Sequence, residues 1–148
     1  MKSLFDPIHR SRIFGRLDRL TPEHMPRWGS MTSHQVICHL AQALRLALAS
    51  ECPGQPRGPM SRPPLNWLVM YVLPWPKGRA KAPPELFDFE PDRWARDLAE
   101  LHNLIAQFGA RSPTDNWPAN MAFGRISGRA WGVIQYRHLD HHLRQLGV

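Results

Sequence analysis

Near its C-terminus the chain reads Tyr136-Arg137-His138-Leu139-Asp140-His141-His142, a run in which His138 and His142 stand four residues apart. On an α-helix the side chains at i and i+4 lie over one another, so these imidazoles can address a common point about 5–6 Å across. That spacing suits a pair of metal ligands. A third imidazole, His39, falls in Met31-Thr32-Ser33-His34-Gln35-Val36-Ile37-Cys38-His39-Leu40, where Val36, Leu40, Ala43, Leu44 and Ala47 mark the buried side of a helix. A single histidine on an apolar face is more often a hydrogen-bonded core residue than a ligand. Three of them on two helices, two at helical spacing, favour a divalent metal ion held by His39, His138 and His142. Such a set leaves coordination positions for water or substrate, as catalytic ions require, and its softness suits zinc, nickel, iron or copper better than magnesium or calcium.

The neighbours of these residues are assigned by the same geometry. His141 turns about 100° away from His142 and reads as a flanking group. Gln35 stands one turn before His39 and Gln135 three residues before His138, so either amide can reach a bound water or substrate, although capping and core polarity are the simpler roles. Arg137, Arg144 and Lys77 are the cations placed to meet anionic groups of a substrate. Asp140 is expected in a salt bridge to Arg137 or Arg144. His9, His24, His34 and His102 have no partner at ligand spacing and are read as surface or capping residues. Cys38 has no base at a fixed distance and reads as packing. Trp28, Trp117 and Trp131 are read as core anchors.

The elements that must position this group are helices. Ile8, Ile13, Phe14, Leu17 and Leu20 predict a first helix from about Asp6 to Leu20, stopped by Thr21-Pro22. Thr32 and Gln35 form a capping box that opens a second helix, whose apolar stripe reaches Leu48 before Cys52-Pro53-Gly54 ends it. Ten of the fifteen prolines fall between Pro53 and Pro91, which predicts a long irregular crossover with one short helix at Leu65 to Leu73. Trp94, Leu98, Leu101, Ile105 and Phe108 carry the next long helix, expected to begin after Glu90 with Pro91 in its first turn and Gly109 at its C-terminal cap. Ala110 to Ser127 is a second irregular connection, and the last helix runs from about Gly128 to Leu146. Antiparallel packing of the second and last helices would bring the three histidines to one level. No repeat and no alternating βα pattern is present, so an all-α bundle of four long helices with long crossovers is the economical architecture.

At 148 residues the chain fits one domain, 1–148, with enough length to bury a core without staples. Its formal charge of +7 raises the question of nucleic acid, but the arginines are dispersed and the lysines number three, so nucleic-acid binding is disfavoured. The cysteines Cys38 and Cys52 form no CxxC motif and suit a reducing cytoplasm. The N-terminal residues lack the apolar core of a signal peptide, and the longest apolar stretch, Leu65 to Leu73, is too short for a bilayer.

The second-helix histidine combined with a terminal HxxxH resembles the DinB/YfiT-like superfamily of metal-binding four-helix bundles. Met31-Thr32 through Cys38-His39-Leu40, the loop Leu73-Pro74-Trp75-Pro76-Lys77-Gly78 and Trp131-Gly132 through Gln145 resemble its DinB-like branch, a domain of unknown function. The resemblance implies a four-helix bundle with His39, His138 and His142 as metal ligands. It further implies a metal-dependent enzyme acting on a small molecule, with a low-molecular-weight thiol such as bacillithiol, mycothiol or glutathione as co-substrate, and it leaves homodimerisation open. A non-catalytic metal-binding or dimerising module is the other reading. Where the resembling proteins carry a glycine after the last ligand, this chain has His142-Leu143-Arg144-Gln145.

Overall fold

The computed structural model describes residues 1–49, 59–77 and 84–148. Five α-helices stand among them: α1 (Pro7–Leu17), α2 (Ser33–Leu48), α3 (Leu65–Tyr71), α4 (Trp94–Ala110) and α5 (Gly128–Gln145), with 3-10 turns at Pro59–Ser61 and Pro84–Phe87. No strand occurs among the described residues, where the only sheet-like pairing is an isolated bridge between Asn120 and Gly124. The molecule is all-α. None of the described helices is long and apolar enough to cross a membrane.

Local chemistry explains most helix starts. Asp6 caps α1 by accepting from the Ile8 and His9 N–H groups, with Pro7 at the first helical position, where its missing N–H costs nothing. The helix ends at Leu17, three residues earlier than expected; Leu20 is still buried but follows a turn. In α2 the capping box is complete: Gln35 N–H donates to Thr32 Oγ1 at 3.2 Å, and Thr32 N–H donates to Gln35 Oε1 at 2.9 Å. The expected stop at Cys52-Pro53-Gly54 lies outside the described residues.

Both ends of α4 depart from expectation. It begins at Trp94, because Arg93 is extended and the Asp92 N–H turns back to donate to Asp97 Oδ2 at 3.0 Å. At the other end, Gly109 lies inside the helix and Arg111 is the cap. The glycine serves packing instead, since a Cβ there would stand 2.6 Å from Arg10, whose guanidinium donates to the Leu4 and Phe5 carbonyls.

Cross-helix contacts fix the directions of the four long helices. Around the core, α4 touches α1 and α2, and α5 touches the same two, which makes α1/α2 and α4/α5 the diagonal pairs. His39 meets His138 and His142, while Gln135 donates to the Ala43 carbonyl one turn later on α2, so α2 and α5 run antiparallel. His34 meets Trp94 and Arg45 meets Glu100, so α2 and α4 run parallel. Parallel neighbours cannot be joined by a tight turn. The proline-rich crossover supplies the required length, and α3, within it, packs on α5 over Met70, Phe123, Ala130 and Ile134. The main core between the four helices is built from Leu17, Ile37, Leu44, Leu101, Phe108, Leu139 and their neighbours.

Candidate metal centre

Antiparallel α2 and α5 bring His39, His138 and His142 together, with one donor nitrogen from each ring lying within 4.8 Å of the other two. Their ring centroids are 4.9 Å apart in each of the three pairs. The Nε2 atoms of His39 and His138 face one another at 3.0 Å. His39 and His142 are buried, at 3% and 8% exposure, while His138 is half-buried.

Hydrogen bonds at the far side of two rings select the tautomer. His39 Nδ1 donates to the Leu86 carbonyl at 3.0 Å, and His142 Nδ1 donates to Gln145 Oε1 at 2.7 Å. Each ring therefore keeps its lone pair on Nε2, and that of His39 faces His138. Metal-bound histidines are held in this way, by an acceptor that fixes the proton on the outer nitrogen. Burial reinforces the neutral form: it lowers the His39 pKa, pushes His142 down to about 3 with help from the neighbouring His39, and drives His138 well below the ordinary range, with His142 and His39 adding to the effect. Three neutral nitrogens facing one another are a donor set for a cation.

The wall around the rings is aromatic. Phe87 stacks on His39 at 5.3 Å between centroids, Phe89 lies at 6.4 Å, and Trp75 lies 6.0 Å from His138. These side chains come from the crossover, where proline content marks irregular backbone without revealing what the loop covers.

The other residues selected from sequence have mixed placements. His141 lies beside the centre, 5.2 Å from the His142 ring and between Trp28 and Trp75. Lys77 is exposed, with Nζ 4.8 Å over the Trp28 ring, on the same side as His141. Arg144 is paired to Asp140 at 2.9 Å, as expected, but the second partner of Asp140 is Arg16 at 2.6 Å rather than Arg137. Arg137 does not face the centre with a free guanidinium: it donates to the Val69, Met70 and Leu73 carbonyls at the end of α3. Gln35 is occupied by the capping box, and Gln135 is buried with its amide on the Ala43 carbonyl, so neither amide is presented to the centre.

Gln145 was missed by spacing arguments centred on the histidines, although it sits three residues beyond His142 on the same helix face. Its amide nitrogen donates to the Trp28 carbonyl at 2.6 Å, which ties the loop before α2 to the centre. A second group was missed entirely: His34, Cys38 and Asp97 also converge within 4.8 Å. His34 is a hydrogen-bond partner of Asp97, Nε2 to Oδ2 at 2.6 Å, rather than a surface or capping residue, and its partner lies too far along the chain for spacing to reveal it.

The chain matches no protein-family model, no curated protein and no solved structure. Its chemistry must be read from the geometry of its own residues.

Proposed function

We propose that this protein is a metal-dependent enzyme of the DinB-like type, with His39, His138 and His142 as the ligands of a divalent ion from the zinc, nickel and iron group. The observation that carries the reading is the convergence of one nitrogen from each of the three rings, with the His39 and His142 tautomers set by the acceptors Leu86 O and Gln145 Oε1. A divalent ion there would supply Lewis acidity, lowering the pKa of a thiol or water brought to it. The chain's own residues divide the remaining work. Phe87, Phe89 and Trp75 exclude bulk water from the rings, and Lys77 offers a cation at the His141 side for an anionic group of a small co-substrate, of which low-molecular-weight thiols are the class suggested by the family resemblance. The reaction is transfer of that thiol to a small electrophile, or hydrolysis of it.

Metal analysis of protein purified without a histidine tag tests the first half of this reading, with at least one bound ion per chain expected and one ion fewer in His39→Ala. The second half is tested by His39→Ala against wild type in a panel of thiol-transfer and hydrolysis reactions, where equal rates would dismiss the mechanism. The deep burial of His39 and His142 favours one other reading, a purely structural ion. In that case chelation would lower the melting temperature steeply, because binding energy is then folding energy, and no reaction in the panel would depend on the ion.

A further inference from the structure

His34 and Cys38 stand one turn apart on the side of α2 that meets α4, and Asp97 in the first turn of α4 reaches both. Asp97 Oδ2 lies 2.6 Å from His34 Nε2 and 3.6 Å from Cys38 Sγ. A cavity of about 110 Å³ opens against the same thiol and carboxylate, and Glu90, Glu100 and Arg45 contribute to its wall. Arg45 is already paired with Glu100 at 2.7 Å, which leaves the carboxylates of Asp97 and Glu90 as the excess charge around this space.

A nucleophilic triad would need the imidazole between thiol and carboxylate, where it could take the thiol proton. Here the carboxylate is the hub, accepting from both the imidazole and the thiol, so no base stands beside the thiol to take its proton. An imidazole, a thiol and a carboxylate from two helices, beside a negatively lined space, are instead a ligand set of mixed softness. Zinc binds such donors at about 2.0–2.3 Å, which spaces them about 3–4 Å from one another. The donors found here already lie within 4.8 Å.

We propose that His34, Cys38 and Asp97 form a second cation site, for a thiophilic divalent ion of the zinc class, that pins α2 to its parallel neighbour α4. Binding releases to solvent the Cys38 thiol proton and the proton that His34 Nε2 holds against Asp97 Oδ2, and it leaves the ring neutral with its proton on Nδ1. One thiolate and one carboxylate then balance the dication, and the cavity has room for a water or the Glu90 carboxylate as fourth ligand. This site is independent of the three-histidine centre. The two use different sides of α2, about a quarter-turn apart at Cys38 and His39, one facing α4 and the other α5.

Cobalt(II) titration of the full chain carrying Cys52→Ala tests the proposal, because only a thiolate-bound cobalt gives intense sulfur-to-metal charge-transfer absorption in the near ultraviolet. The expected result is that absorption at an intensity of one thiolate-bound cobalt per chain, bleached by added zinc, abolished by Cys38→Ser, weakened at least tenfold in affinity by His34→Ala, and retained in His39→Ala. Cobalt binding without the absorption, or absorption surviving Cys38→Ser, overturns it. If Cys38→Ser does not fold, as judged by circular dichroism, His34→Ala and Asp97→Asn carry the test, and unchanged affinity in both overturns the proposal. Failure of the three-histidine centre looks different: the thiolate signal persists while the second equivalent of cobalt is lost.

Discussion

Gln145 is the residue on which the three-histidine centre leans most heavily without contributing a ligand. Its Oε1 accepts from His142 Nδ1 at 2.7 Å while its amide nitrogen donates to the Trp28 carbonyl at 2.6 Å, so a single side chain sets the tautomer of a ligand and is itself held in place. Acceptors of this kind are worth about 10–100-fold in metal affinity. Gln145→Leu keeps the volume and loses both bonds, and it is expected to weaken zinc binding by about that factor, as read by competition with a chromogenic chelator, while the helical circular dichroism is kept. Gly29 is coupled to the same amide. Its φ of +79° belongs to the left-handed region, and a Cβ there would lie 2.6 Å from Gln145 Nε2. Gly29→Ala should therefore weaken zinc binding in the same assay, and unchanged affinity in both variants would show that the His142 tautomer needs no such support.

At the scale of elements, features encoded within one turn were legible and those encoded across the fold were not. Thr32 and Gln35 announce the start of α2 because capping-box partners are three residues apart, and Thr32→Ala is expected to destabilise the protein by about 1 kcal/mol in denaturant titration, with the centre's ligands untouched. The start of α4, by contrast, depends on the side chain of Asp97, which accepts from Asp92, His34 and Cys38 at once; two of these partners are about sixty residues away in sequence. Arg137 shows the same divide. A cation beside a histidine invites assignment to a substrate, yet it donates to three carbonyls of the crossover, one at 2.6 Å, and so docks α3 against α5. Since those carbonyls lie at an unpaired helix end, Arg137→Met should speed amide hydrogen exchange in residues 65–73 while leaving exchange in α2 unchanged. Equal protection in both proteins would remove Arg137 from this role.

Over the whole molecule, the periodicity of apolar residues located the helices to within a few positions, and the i,i+4 histidines located one face of α5. The parallel pairing of α2 with α4 left no such trace, because it is made by contacts such as Arg45 with Glu100 that no spacing rule connects, and with it the His34–Cys38–Asp97 group stayed hidden. The fold gathers three neutral imidazoles in its interior, and this has a consequence for the metal-free protein as a whole. Burial lowers the pKa of each ring in the folded state, His142 to about 3, whereas in the unfolded chain each titrates near 6.5. Below pH 6.5 the unfolded state therefore takes up protons that the folded state refuses, so stability is full above that pH and is lost as pH falls toward the folded values. Each ring contributes a slope of up to about 1.4 kcal/mol per pH unit in that window. Chelator-treated protein should show a denaturant midpoint that is flat above pH 7 and falls between pH 6.5 and 3. In His142→Leu the slope should be shallower by about one proton, since a leucine has nothing to titrate in either state. Identical slopes for the two proteins would mean that the His142 ring is already protonated in the folded molecule, and could not offer the Nε2 lone pair that the centre requires.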